Sequence, residues 1–234
     1  MANRSQDINA SYERFYADRS GLRVYPTEFV VRTFLASYPG LKFRKPAKGD
    51  RVLDVGFGDG RNTAFLCEQG FAVSGIEITQ GIVDQTRERL SQLGHSADLR
   101  VGRNSRIPFE RDYFDCILAC HCCYYCDEGE SFTDNLREYA RVLNRGGYLV
   151  ASIAARSSYI FAGALECPDG SLMIQSDPYG NRNGYRLHAF EDKREIERYM
   201  GNLFSDFSFG FADNDYYGIA ERVFWVVCQK VGHG

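Results

Sequence analysis

Arg51-Val-Leu-Asp-Val-Gly-Phe-Gly-Asp-Gly60 is a short apolar run that breaks into three alternate glycines. A run of this kind reads as a parallel strand buried on both faces. The glycines let the chain turn sharply into a helix and let a ligand approach the backbone, because no Cβ intervenes. The dinucleotide fingerprint G-x-G-x-x-G needs its third glycine at position 61, where this chain has Arg61. Asp54, on the strand itself, suits a ligand bearing positive charge better than one bearing a pyrophosphate.

Outward from this turn the pattern alternates. Asn62 to Gln69 reads as a helix stopped by Gly70, Phe71 to Ile78 as a strand, and Gly81 to Leu93 as an amphipathic helix stopped by Gly94. Asp98 to Val101 and Phe114 to Cys120 follow as strands, and then comes a helix from Phe132 to Leu143. The triplet Arg145-Gly146-Gly147 reads as its stop, and Tyr148 to Ile153 as a fifth strand. Strands alternating with helices predict βαβ units and a parallel sheet. Upstream, Pro26 and Thr27 open a helix over Glu28 to Leu35. Downstream, Lys193 to Met200 is helical, and Phe204 to Phe211 and Val223 to Gln229 are neighbouring strands suited to an antiparallel hairpin. Arg156 to Phe190 is a long polar and aromatic stretch, and a loop of that length in a compact domain is usually functional.

The composition is that of one globular domain: 234 residues, 44% hydrophobic, 25% charged. A formal net charge of -3 argues against a surface that grips nucleic acid, so no nucleic-acid partner is expected. No stretch approaches the roughly 20 apolar residues that span a bilayer. The opening Met-Ala-Asn-Arg-Ser-Gln-Asp lacks the apolar core of a signal peptide, so the cytoplasm is expected, with no membrane partner. Cys116, Cys120, Cys122, Cys123 and Cys126 crowd together with His121, and thiolate and imidazole suit zinc. No second ligand pair at zinc-finger spacing accompanies them, so no metal site is expected, and reduced thiols are.

Taken in order, these residues resemble the class I S-adenosylmethionine-dependent methyltransferases of small-molecule type, from about Arg51 to Ile153. The resemblance implies an α/β, Rossmann-like doubly wound fold with a mostly parallel seven-stranded sheet and an antiparallel C-terminal hairpin. One domain is expected. It comprises an N-terminal helical lid (1–48), a cofactor-binding core (49–155), a substrate-facing insertion (156–190) and a C-terminal helix and hairpin (191–234). S-adenosylmethionine becomes the implied cofactor and S-adenosylhomocysteine its product. Asp54, Gly56, Phe57 and Gly58 would wrap the methionine part, Glu77 would take both ribose hydroxyls, and Ile78 would pack on the adenine. The segment Val101-Gly-Arg-Asn-Ser-Arg-Ile-Pro-Phe109 matches the adenine loop. The family commonly has Asp where this chain has Arg103, so Asn104, Ser105 or a backbone carbonyl would meet the adenine amino group. Ala119, Cys120 and the lid residue Tyr16 complete the implied cofactor contacts, and Tyr139-Ala-Arg-Val-Leu-Asn-Arg-Gly-Gly-Tyr-Leu-Val150 matches the segment that closes the core.

The acceptor side rests on fewer signals. His121, after the fourth strand, and His188, at the end of the insertion, are the candidate general bases. Tyr25, Tyr124, Arg156 and Arg186 are candidate acceptor contacts, and Arg156, Arg182 and Arg186 suggest an anionic group on a small-molecule acceptor. Tyr12, Phe15, Tyr16 and Tyr25 would close over the cofactor and expel water. Asp177-Pro178-Tyr179-Gly180 reads as a turn. A nicotinamide-dependent oxidoreductase is disfavoured by Arg61. An RNA methyltransferase and a non-catalytic S-adenosylmethionine-binding module stay open, and the oligomeric state is not set.

Overall fold

The computed structural model describes residues 4–18 and 24–232; residues 1–3 and 19–23 of the expected lid, and 233–234 at the end, lie outside the described residues. In chain order the helices are α1 (Arg4–Ala17), α2 (Glu28–Leu35), α3 (Arg61–Glu68), α4 (Gln80–Gln92), α5 (Phe132–Val142) and α6 (Lys193–Met200). The strands are β1 (Arg51–Val55), β2 (Ala72–Glu77), β3 (Asp98–Val101), β4 (Phe114–Cys120), β5 (Tyr125–Cys126), β6 (Leu143–Ala154), β7 (Leu165–Glu166), β8 (Leu172–Met173), β9 (Arg186–Leu187), β10 (Phe204–Asp215) and β11 (Ala220–Lys230).

Seven strands form one sheet in the order β10-β11-β6-β4-β1-β2-β3. The five from β6 to β3 are parallel, whereas β11 runs antiparallel to β6 and β10 antiparallel to β11. From β1 the chain winds outward through β2 and β3, then crosses back to lay β4 on the other side of β1. The strand order reverses there, and in open α/β sheets ligands bind in the crevice this reversal opens beyond the strand carboxyl ends. Helix packing closes both faces. Phe29, Val30 and Phe34 of α2 pack with Leu66, Cys116, Leu118 and Val150 on one face; Phe132, Leu136 and Tyr139 of α5 pack with Leu53, Ile117 and Leu149 on the other.

Local chemistry starts the helices. The Thr79 hydroxyl accepts from Ile82 N–H before α4, Asp192 accepts from Glu195 N–H before α6, and Ser131 and Asp134 form a reciprocal capping box before α5. The end of α5 departs from expectation. The helix stops at Val142, and Leu143 is already extended, opposite Phe114 in the sheet. Arg145-Gly146-Gly147 therefore lies inside β6 as an irregularity in the ladder. Gly147 fits there because a Cβ would come within 3.0 Å of Asn144 O and 3.1 Å of Asp115 O.

The hairpin is also longer than expected. Its polar ends, Ala212 to Asp215 and Ala220 to Arg222, continue the backbone ladder, with Arg222 paired to Asp213. The insertion is not featureless: β7, β8 and β9 join β5 in a small antiparallel sheet, β5-β9-β8-β7. Because only four residues separate the end of β4 from β5, this small sheet hangs the insertion over the carboxyl ends of the main strands. No helix among the described residues is long and apolar enough to cross a membrane.

Candidate functional site

At the carboxyl ends of β1, β2 and β4 lie two connected hollows that share Tyr16, Gly56, Cys120, His121 and Arg182. The first extends over β2 and β3, past Glu77, Ile78, Arg103 and Asp127. The second extends over β6 and β11, past Tyr124, Tyr159 and Glu221.

The floor of the first hollow is the glycine turn. Gly56 continues the ladder by donating to Ile76 O at 2.9 Å, and Thr86 Oγ1 donates to Gly58 O at 2.6 Å. Gly56 and Gly58 have φ of 64° and 53°, a region that costs other residues about 1–2 kcal/mol. Glu77 is buried at the end of β2, and its Oε1 accepts from Gly58 N–H at 3.2 Å while Oε2 accepts from Ile78 N–H at 2.7 Å. Burial pushes its pKa up, opposed by these two bonds. A carboxylate has about four acceptor sites, so some remain available towards the hollow.

Other expected cofactor contacts are arranged differently. Phe57 and Gly58 line the second hollow, where Gly58 faces the lid. Asp54 and Ala119 do not line either hollow. Asp54 is buried within the sheet and accepts from Thr63 Oγ1 at 2.7 Å, and burial raises its pKa to about 7. Ser105 also stays outside both hollows. Asn104 does reach the first hollow, but its amide is occupied. Nδ2 donates to Cys122 O and Tyr125 O, and Oδ1 accepts from Tyr139 Oη at 2.7 Å, so its main work is to pin the loop after β4. A carboxylate nevertheless stands at this end: Arg103 holds Asp127 at 2.7 Å, and both residues line the hollow.

Helix α1 lies across the opening. The Tyr16 ring sits so close over Gly58 that a Cβ there would meet its hydroxyl oxygen at 2.4 Å. Tyr12 Oη lies 3.3 Å from Tyr125 Oη, and the Tyr12 and Tyr125 rings both meet Tyr185 edge-on. Of the four aromatic residues expected to close over the site, Tyr12, Phe15 and Tyr16 line the hollows. Tyr25, 64% exposed, does not.

The second hollow is walled by side chains from distant segments. Tyr124 is buried in it, as expected. His121 follows β4 with φ of 56°, and its N–H donates to Ser152 Oγ at 2.9 Å. Burial, with the nearby Arg182 charge, lowers the imidazole pKa to about 4. Arg182 stands where the two hollows meet. Its Nε donates to Tyr125 Oη at 2.9 Å and its Nη1 to Tyr159 Oη at 3.3 Å, and it pairs with Asp177, whose side chain is fully buried. Asp177 also accepts from the backbone N–H groups of Tyr179, Asn181 and Arg182, which makes the Asp177-Pro178-Tyr179-Gly180 segment the expected turn.

Besides Tyr25, three residues expected at the acceptor or in catalysis are elsewhere. Arg156 is exposed, and its N–H donates to Phe190 O. Arg186 pairs with Asp169 and donates to Ser171 Oγ, which fastens β9 to the β7–β8 turn. His188 sits among the Phe132, Phe190 and Tyr199 rings, with its buried Nε2 lacking a hydrogen-bond partner. Its ring is held in this aromatic cage and its backbone N–H donates to Tyr124 O, so it lines neither hollow. Conversely, Asp127 and Glu221 line the cleft without having been singled out. The signal for Glu221 was the strand period: it lies two residues before Val223, on the same face of β11. All eight cysteines are free; Cys122 Sγ donates to Val55 O at 3.0 Å, and burial raises the Cys120 and Cys122 pKa values.

Comparison with known proteins agrees with this architecture. Residues 53–151 match the family described as methyltransferase domain. A demethylmenaquinone methyltransferase of Tropheryma whipplei is 35% identical over 155 residues, covering 64% of this chain and 62% of the relative. A ubiquinone biosynthesis O-methyltransferase of Azorhizobium caulinodans is 26% identical over 173 residues, covering 73% and 65%. The chain thus spans less than two thirds of the length of these curated relatives. Among solved structures, the N-methyltransferase NodS of Bradyrhizobium japonicum, in complex with S-adenosylhomocysteine, superposes with a TM-score of 0.64 at 14% identity, over 95% of this chain and 98% of that one. An S-adenosylmethionine-dependent methyltransferase of Methanosarcina mazei gives 0.64 at 20% identity, over 85% and 100%. Residues 53–151 thus resemble a methyltransferase domain, and the chain has the fold of these methyltransferase structures.

Proposed function

We propose that this protein transfers the methyl group of S-adenosylmethionine to an oxygen or nitrogen atom of a small-molecule acceptor. The observation that carries the reading is Glu77: a buried carboxylate beneath a glycine turn, steadied by two backbone N–H groups, with acceptor sites left for a vicinal diol such as a ribose. The matched domain and the names of the relatives, a demethylmenaquinone methyltransferase and a ubiquinone biosynthesis O-methyltransferase among them, support the small-molecule assignment.

The residues present fit the cofactor. Gly56, Gly58 and Ile78 offer a close backbone surface, Glu77 a diol acceptor, and Asp127, held by Arg103, a carboxylate for an amino group at the adenine end. When bound, S-adenosylmethionine supplies a methyl group already activated by its sulfonium. What remains for the protein is alignment and exclusion of water, and alignment alone is worth up to about 7–11 kcal/mol. Tyr12 and Tyr16 exclude water by lying over the turn, and Tyr124 and Arg182 form the acceptor-side wall. With its pKa near 4, His121 is neutral at neutral pH. It accepts a hydrogen bond from the acceptor and orients it, but holds a full proton only weakly. His188, outside the cleft, takes no part.

Calorimetric titration with S-adenosylmethionine, S-adenosylhomocysteine and NAD tests the reading. The first two bind and NAD does not; binding of NAD without S-adenosylhomocysteine would refute it.

A further inference from the structure

The second hollow contains one carboxylate that the fold does not neutralise. Glu221 and Val223 alternate onto the cleft side of β11, while Arg222, between them, turns away to Asp213 and Ser157 O. The other charges of the hollow are paired: Arg61 is held by Asp59, and Arg182 by the buried Asp177. Glu221 has no ion-pair partner among the described residues, and Arg182 acts on it only through space. It is partly buried beside aromatic and apolar walls, with Tyr124, Tyr159 and Ile160 lining the same hollow.

Position separates Glu221 from the point of reaction. Cys120 pairs with Ser152 of β6, and Ser152 with Trp225 of β11; Glu221 lies four residues beyond that row and two strands across. With about 4.8 Å between strands and about 3.3 Å per residue, its Cα stands about 10 Å sideways and about 13 Å along the strands from Cys120. The glutamate side chain reaches back into the hollow from that distance, so it meets a part of the acceptor remote from the atom near His121.

A carboxylate or phosphate on the acceptor would face Glu221 with like charge, and a neutral group would leave it uncompensated. An ammonium group gains both the charge pair and the aromatic faces. We propose that the acceptor is a small molecule carrying an alkylammonium handle, held by Glu221 and Tyr159 at the β11 end of the cleft, away from the atom that is methylated. The inference rests on the methyl-transfer reading of the cleft, which binding of S-adenosylhomocysteine tests by itself.

Three probes of similar ring and length isolate the handle's charge: tyramine, N-acetyltyramine and 3-(4-hydroxyphenyl)propionate. Titrated into protein saturated with S-adenosylhomocysteine, tyramine should bind at least about tenfold tighter than the neutral probe, and the acid should be the weakest. Glu221→Gln, which keeps the side-chain shape, should abolish the tyramine preference while S-adenosylhomocysteine affinity stays within about twofold. Glu221→Lys should turn the preference towards the acid. Tyramine binding no tighter than the other two, failure of all three to bind, or a preference that survives Glu221→Gln would overturn the handle. Failure of the unsubstituted protein to bind S-adenosylhomocysteine would overturn the methyl-transfer reading first and the handle with it.

Discussion

At the β1–β2 end of the cleft the backbone of the glycine turn sets the key group: Gly56 turns in a left-handed conformation beside Glu77, which the N–H groups of Gly58 and Ile78 fix. At the β6–β11 end it is made of side chains sent from far apart in the chain: Tyr16 from α1, Tyr124 after β4, Arg182 from the insertion and Glu221 from the hairpin. The first wall tolerates little change, because altering it means altering the turn. The second can exchange side chains without disturbing a strand or helix. Such a division suits an invariant ligand at one end and a chosen one at the other.

The largest effect expected from this contrast is at Glu77. Glu77→Ala removes an acceptor for two hydroxyls, each charge-assisted bond being worth about 1.5–3 kcal/mol. S-adenosylhomocysteine affinity should therefore fall at least about a hundredfold in calorimetry while the protein keeps its circular dichroism spectrum. A change within twofold would remove the basis for calling this the cofactor end.

Two arginines of the insertion sharpen the comparison next. Arg182→Met strips the partner from an Asp177 side chain that is fully buried, and breaking such a pair costs about 3–5 kcal/mol when both charges are buried. Arg182 is partly exposed, so about 2–3 kcal/mol is expected. Arg186→Met breaks a pair whose Asp169 partner is largely exposed and should cost under about 1 kcal/mol, with little effect on acceptor binding. Denaturant titration of the two variants checks the ranking; equal losses would mean that the insertion is held by its small sheet and not by its link to the cleft.

Gly58 probes where lid and backbone wall meet. Gly58→Ala imposes about 1–2 kcal/mol of backbone strain and drives the new Cβ against Tyr16. Cofactor affinity should drop roughly tenfold, and adding Tyr16→Ala should recover the steric part but not the strain. If the double variant binds no better than Gly58→Ala, the lid does not press on the turn.

The smallest effect distinguishes the two histidines. Both have pKa values lowered chiefly by burial, so between the ordinary 6.5 and the folded value the unfolded chain binds more protons. Stability from each is thus fully present above about 6.5 and is lost as pH falls, for His121 down to about 4. Asp54 works in the opposite sense: raised from 3.8 to about 7, it favours the fold increasingly as pH falls through that window. His188→Phe should raise the unfolding midpoint at neutral pH by on the order of 2 °C, because it replaces a buried, unpartnered Nε2 with a ring suited to Phe132. The advantage should grow as pH falls towards 5 while activity is retained; loss of activity without loss of stability would return His188 to the mechanism.

The β1 turn, the order of strands and helices, the C-terminal hairpin and Glu77 at the end of β2 were legible in the sequence, because each depends on residues close together in the chain. Apolar runs, glycines after strands and capping residues act within a few positions. The same locality misled at Arg145-Gly146-Gly147, where a helix stop and a strand irregularity look alike until Phe114 stands opposite Leu143. The acceptor end was not legible. Arg156, Arg182 and Arg186 are chemically the same residue, yet one is exposed, one joins the two hollows and one fastens a small sheet. His121 and His188 differ in the same way. Which of these side chains enters the cleft depends on how β5 and β9 pair and on which face of β11 looks inward, and those choices are made by packing between segments about 60 to 80 residues apart, beyond the reach of any local pattern.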